Sequence, residues 1–311
     1  MRLMDISALM LEPQEGLTVG EVVNMAKKAE EIGFPRLFRS DHLLPTSGRR
    51  GIPSAECWVS LSALASVTTN IRFGPLVSPI GFRHPTLLAK MAHDLHIYSG
   101  GRLILGLGAG WYQSEFDAYG IAFPSTPERI GRLDEALTII RGLVDGQRVN
   151  HHGKYYSCDL EFHPKPSSKL WVVVGARSRN TVKLAARLAD EWNFFATSVQ
   201  DYLKLKGVFD SERKQREVKV SMMGPFIISE DKTSLKARVS EFAQRRGLGG
   251  DPEILIQRLR ERGITVGTPE ESVEQLKRWL ELGVQGFMFQ FINTTDTEAL
   301  TSLVDALKRS I

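Results

Sequence analysis

The chain has 311 residues, 42% hydrophobic and 24% charged, a balance that supports packed cores and excludes disorder over most of its length. Forty basic and 36 acidic side chains give +4, and their interspersion excludes the one-sided basic face of a nucleic-acid binder. The only two cysteines, Cys57 and Cys158, exclude a disulfide framework or a zinc ribbon; with no apolar run of about 18 residues and with Asp5 too early for a signal-peptide core, a cytoplasmic protein without a membrane span is expected.

Short apolar runs alternate with amphipathic stretches from end to end, the rhythm of βαβ units around a parallel sheet. The first strand is expected over 3–9, followed by a helix that Thr18 caps and Gly33 stops. The second strand, 36–40, runs into Asp41-His42 and a polar loop. A helix over 58–67 precedes the third strand, 71–77. A helix starting after Pro85 ends at Gly100-Gly101, and the fourth strand covers 103–108. A long loop follows Trp111, then a helix built on Ile130, Leu133, Leu137, Ile140 and Leu143.

Residues 146–169 have little periodicity and read as an insertion. The run 171–174 is wholly apolar, as in a buried parallel strand, and Ser178 caps the helix after it. Strands six and seven are expected over 191–196 and 219–228. The polar helical stretch 230–262, broken by Gly247, Gly249 and Gly250, reads as a second insertion. A helix opened by Pro269 and Glu270 precedes strand eight, 286–291, and a terminal helix covers 297–308. Eight strand–helix units predict a (β/α)8 TIM barrel with insertions, in one domain over 1–311. An open doubly wound sheet would need a glycine fingerprint after the first strand, where Met10-Leu11-Glu12-Pro13 stands instead.

Barrel chemistry sits at strand C-termini, which narrows the candidates. Asp41-His42 closes the second strand; the imidazole suits proton transfer or ring contact, and the bland alternative is a loop cap. Gly106 to Gly110, before Trp111, closes the fourth with almost no side chains, so that a flat or phosphorylated ligand can approach the backbone, or the strands simply cross closely. Gly175-Ala176-Arg177-Ser178 closes the fifth and opens a helix, the geometry of an anion site or of plain capping. His93 and His96 share a helical face without a third ligand and read as a packed face; no metal is expected. His151 and His152 read as solvated.

The segments 34–42 (FPRLFRSDH), 69–85 (TNIRFGPLVSPIGFRHP) and 99–111 (SGGRLILGLGAGW) resemble the luciferase-like monooxygenase superfamily, in the branch that uses coenzyme F420. The stretches Phe116 to Leu133 and Gly175 to Asn193 are similar to that branch as well. The resemblance implies a barrel that holds an 8-hydroxy-5-deazaflavin and moves a hydride to or from it. It implies that Asp41 and His42 lie at the ring, with His42 as proton donor or ring contact. Pro75, Leu76, Val77 and Ser78 would line the ring face around a non-prolyl cis peptide between Pro75 and Leu76. Gly108, Ala109, Gly110 and Trp111 would line the glycine strand end, and Gly175, Ala176, Arg177 and Ser178 would hold the phosphate. Two departures from the pattern stand out: Trp111 stands where the branch's glucose-6-phosphate dehydrogenases carry a glutamate, and Arg177 and Ser178 replace two glycines.

The leading expectation is a coenzyme F420-dependent oxidoreductase acting on a small organic substrate, with a homodimer implied by the resemblance. An FMN-dependent monooxygenase and a non-catalytic flavin- or deazaflavin-binding protein remain the alternatives, because the cofactor does the hard chemistry in all three cases.

Overall fold

The computed structural model describes residues 2–245, 247–290 and 297–310. β1 (Ser7–Leu11) leads through α1 (Val19–Ile32) to β2 (Arg36–Arg39), and α2 (Cys57–Ala65) leads to β3 (Arg72–Pro75) and β4 (Ser78–Pro79). α3 (Pro85–Tyr98) precedes β5 (Ile104–Gly108), after which come α4 (Gln113–Ala118) and α5 (Thr126–Val144). A hairpin of β6 (Val149–His152) and β7 (Ser157–Leu160) is followed by β8 (Trp171–Gly175), α6 (Arg179–Leu188), β9 (Glu191–Phe195), α7 (Val199–Arg213) and β10 (Lys219–Ile228). α8 (Lys232–Arg245), α9 (Pro252–Glu261), β11 (Thr265–Gly267), α10 (Pro269–Glu281), β12 (Phe287–Gln290) and α11 (Thr297–Arg309) complete the chain.

The pairing order β3-β2-β1-β12-β10-β9-β8-β5-β4 is parallel throughout. β3 and β4 are halves of one interrupted strand: β3 pairs with β2, β4 pairs with β5, and a Phe73–Leu103 bridge closes the ring. The expected (β/α)8 barrel is therefore present. Thr18 caps α1 through Glu21 N–H, Gly33 ends it in the left-handed region at φ 99°, and Ser178 caps α6 through Thr181 N–H.

Most apolar side chains fill the layer between the barrel and its helices. Ala8, Met10, Phe38, Leu76, Ile104, Val173 and Met288 plug the barrel itself. The second half of β10 leaves the ring, pairs with β11, and buries Ile227 with Leu235, Val239, Phe242, Leu255 and Leu259 of α8 and α9. His93 and His96 are buried, their rings bonded to Pro164 O at 2.9 Å and to Ser168.

Several expectations need correction. Residues 3–6 form a 3-10 turn, so the first strand starts at Ser7 and runs to Leu11. α4, α7, β11 and the β6–β7 hairpin carry too little periodicity to be legible. His151 is held by Glu135 at 3.3 Å rather than solvated. Phe291, the expected last residue of strand eight, lies outside the described residues. The non-prolyl cis peptide joins Leu76 and Val77, one bond later than expected. Leu76 N–H still donates to Arg39 O at 2.7 Å, so pairing with β2 extends through Leu76 before the strand breaks.

The glycines explain how the interrupted strand fits. A Cβ on Gly74 would lie 1.8 Å from Ile104 O, and one on Gly106 would lie 2.2 Å from Pro75 O. Those on Gly108 and Gly175 would meet Val77 methyls at 2.5 and 3.1 Å. The side-chain-poor strand ends are therefore required first by close backbone packing around Val77.

Two glycine substitutions have opposite expected signs. Gly74→Ala forces a Cβ into a carbonyl and should cost roughly 2–4 kcal/mol. Gly20→Ala on exposed α1, where nothing lies within 4 Å, should gain about 0.5–1 kcal/mol. Urea midpoints of the two variants check both signs.

Candidate active site

The C-terminal ends of β1, β2, β4, β5 and β12 bring their polar residues together. Glu12, just past β1, accepts from the side-chain amides of Gln14, at 2.7 Å, and Gln290. Gln14 in turn accepts from Ser40 Oγ at 2.5 Å. Among the described residues, the buried Gln290 Oε1 has no partner.

His42 follows β2 on the same end of the barrel. Its Nδ1 lies 3.0 and 3.1 Å from the two oxygens of Glu115, a residue of α4 that is 1% exposed. Leu43 N–H donates to the same carboxylate at 2.9 Å. Glu115 therefore acts as an acceptor and Nδ1–H as the donor, which leaves Nε2 as the working nitrogen. Among the described residues Nε2 makes no hydrogen bond. The ring also meets Trp111 and Tyr112 edge-on, at centroid distances of 5.6 and 6.1 Å.

Burial by itself pushes the imidazole pKa down, but the hydrogen bond and charge of Glu115, with Glu12 and Asp41 beyond, outweigh it and raise His42 above its ordinary 6.5. A raised pKa means that the charged form stabilises the fold. That contribution is fully present below pH 6.5 and is lost as pH rises through the higher folded value.

Asp41 serves a different purpose from its neighbour. It is buried, and accepts from Ser78 Oγ at 2.6 Å and from Arg83 at 2.7 Å. Arg83 also binds Glu56 at 2.6 Å, and Glu56 caps α2 through Val59 N–H at 2.7 Å. Fully buried Arg39 donates to Ala55 O, Glu56 O and Ser60 Oγ. This network fastens both ends of the loop 43–56 to the barrel rim. Asp41 and Ser78 thus hold the frame beneath the mouth, and Ala176 is likewise buried in the outer core.

The other expected residues surround the mouth. Pro75 ends β3, Leu76 and Val77 project into the barrel interior, and Gly108, Ala109, Gly110 and exposed Trp111 follow along the rim of β5. Gly175 ends β8, while Arg177 is exposed beside the N-terminus of α6. Sequence reasoning missed Glu12, Gln290 and Glu115. The strand-end rule would have found Glu12 had the first strand been drawn to Leu11, and Gln290 lay inside the expected eighth strand. Glu115 had no signal, since only the fold of α4 turns it onto His42. No group of His, Cys, Asp and Glu among the described residues has the arrangement of a metal site.

A family model described as luciferase-like monooxygenase matches residues 4–286. An F420-dependent glucose-6-phosphate dehydrogenase of Microbacterium testaceum is 32% identical over 295 residues, covering 86% of each chain. Among solved structures, an F420-dependent secondary alcohol dehydrogenase superposes with a TM-score of 0.78 at 18% identity, covering 97% of this chain and 98% of its own. A monooxygenase from Streptomyces bottropensis gives 0.80 at 20% identity, covering 98% of both.

Glu115→Gln removes the charge that holds His42 up. NMR titration of the His42 ring should show its midpoint falling below the wild-type value, and the stability gained in acid should shrink with it; an unmoved midpoint would show that Glu115 does not control the imidazole.

Proposed function

The chain belongs to the luciferase-like monooxygenase family, and from that premise we propose that it acts, as one domain, as an oxidoreductase using coenzyme F420 with a small organic substrate. The observation that carries this reading is His42 at the barrel mouth, tautomer-fixed by Glu115, with Nε2 making no hydrogen bond among the described residues. The choice of deazaflavin rests on the F420-dependent relative that matches over 86% of the chain. The barrel alone does not choose the reaction, since a dehydrogenase named for F420 and a monooxygenase share it.

The residues present fit such a group. Leu76 and Val77 offer an apolar shelf inside the barrel, and the orphaned Gln290 Oε1 is an acceptor suited to a ring N–H. Arg177, with the free N–H groups at the start of α6, suits a phosphate. When bound, the deazaflavin would accept or give up a hydride. His42 Nε2 would then take the proton from a substrate hydroxyl, or return it to a carbonyl oxygen, while Glu115 holds the ring in place.

A cytoplasmic homodimer belongs to the same reading. Cys57 and Cys158 are free thiols, no described helix is long and apolar enough to cross a membrane, and Val59, Leu87 and Tyr98 stand exposed on α2 and α3. Sedimentation at micromolar concentration reports the dimer.

Fluorescence titration with each cofactor tests the central choice. The deazaflavin should bind at least tenfold more tightly than FMN, a difference of about 1.4 kcal/mol; the reverse order would overturn the proposal in favour of an FMN enzyme. Arg177→Ala should weaken deazaflavin binding by about 1.5–3 kcal/mol if it carries the phosphate, and unchanged affinity would leave Ser178 a plain helix cap.

A further inference from the structure

The relative at 32% identity is named for a sugar phosphate, yet the mouth of this barrel is built for something else. We infer that the substrate is an uncharged alcohol or carbonyl compound with an apolar body, and that a phosphorylated sugar is excluded; this rests on the oxidoreductase reading above.

A dianionic phosphate needs cations, and guanidinium or ammonium groups are what proteins supply. The loops after the barrel strands carry very few. Residues 12–18 after β1, 109–125 after β5, 196–198 after β9 and 229–231 after β10 contain no lysine or arginine. Of the cations in the remaining loops, Arg83 is already shared between Asp41 and Glu56. Arg49 and Arg50 are exposed in the loop 43–56, and Arg177 is exposed beside the N-terminus of α6, where the cofactor phosphate is assigned.

The charges that surround the reacting nitrogen are of the opposite sign. Glu115 touches His42, and Glu12 and Asp41 favour its charged form through space. A phosphate ester held with its hydroxyl at Nε2 would lie beside Glu115 and near Glu12, which is satisfied by neutral amides rather than by a cation, while Asp41 is already paired with Arg83. An uncharged hydroxyl loses nothing there, and the amide-bound Glu12 gives the neighbourhood hydrogen-bonding capacity without a positive charge.

The walls point the same way. Trp111, 62% exposed, overhangs His42 at the rim of β5, and Phe195, 39% exposed, closes β9 on another side of the mouth. Exposed aromatic faces at a site mouth suit an apolar substrate body. In the oxidative direction, the hydride leaves the carbinol carbon for the oxidised deazaflavin and the hydroxyl proton goes to neutral His42. The two electrons of the C–H bond leave with the hydride, and the C=O bond forms.

The test uses the full chain with two probes, 1-phenylethanol and glucose 6-phosphate. Deazaflavin titration first reports whether the cofactor reading holds, independently of any substrate. With deazaflavin bound, kcat/KM for 1-phenylethanol, or for acetophenone in reverse, should exceed that for glucose 6-phosphate by roughly a hundredfold, the scale on which unpaired charge is rejected. Calorimetry on the cofactor-free protein should show no binding of glucose 6-phosphate at millimolar concentration. Turnover of the sugar phosphate at an equal or higher kcat/KM, or its binding in calorimetry, would overturn the inference, as would no turnover of the uncharged pair in either direction with deazaflavin bound. Absence of deazaflavin binding together with absence of sugar-phosphate binding would defeat the cofactor reading while leaving the exclusion of phosphate in place.

Discussion

A carboxylate taken out of water must be fully satisfied, and Glu115 meets that requirement in one way only. It faces His42 Nδ1 and the Leu43 N–H, so the loop after β2 and the helix α4 are locked together by one buried group. Removing His42 leaves the buried carboxylate with the Leu43 N–H alone, a cost that burial makes large. The geometry of the mouth follows from this lock. His42 is held in place, Nε2 has no hydrogen bond among the described residues, and Trp111 and Tyr112 are carried to the imidazole because they directly precede α4.

A second constraint acts from below. The interrupted β3–β4 strand pushes Leu76 and Val77 into the barrel, and the ring accommodates them only because its neighbours have no side chains at Gly106, Gly108 and Gly175. What looks from the sequence like a ligand-binding glycine string is in the first place a packing device. The two readings converge, since the residues it admits form the apolar shelf at the bottom of the mouth. The Asp41–Arg83–Glu56 network does the corresponding work at the outer rim, where charge is neutralised within the protein instead of being offered to a ligand.

The barrel was legible because each of its strands is a short apolar run bounded by turn residues, and because caps such as Thr18, Gly33 and Ser178 announce themselves locally. Strand β10 was read at its observed limits for that reason. The first strand was misplaced because Leu3 and Met4 are as apolar as the residues that follow, although they pack a 3-10 turn against the core. α7 escaped because its buried side is thin, with only Tyr202 and Phe209 fully covered. At the site, His42 was legible from its strand-end position, while Glu115 was not: its role depends on a contact 73 residues distant in sequence, and no local pattern encodes that.

The account thus centres on a proton carried by His42 under the control of a buried carboxylate, at a rim where Trp111 packs edge-on against the imidazole. The pH dependence of kcat/KM in wild type and in His42→Asn tests that claim most directly, because asparagine keeps a donor for Glu115 but cannot carry a proton. The account predicts an ionisation above 6.5 in the wild-type profile that disappears in the variant, with the rate falling by roughly a hundredfold, the usual scale of general acid–base catalysis. A profile with the same ionisation in both proteins, or an undiminished rate in the variant, would contradict it.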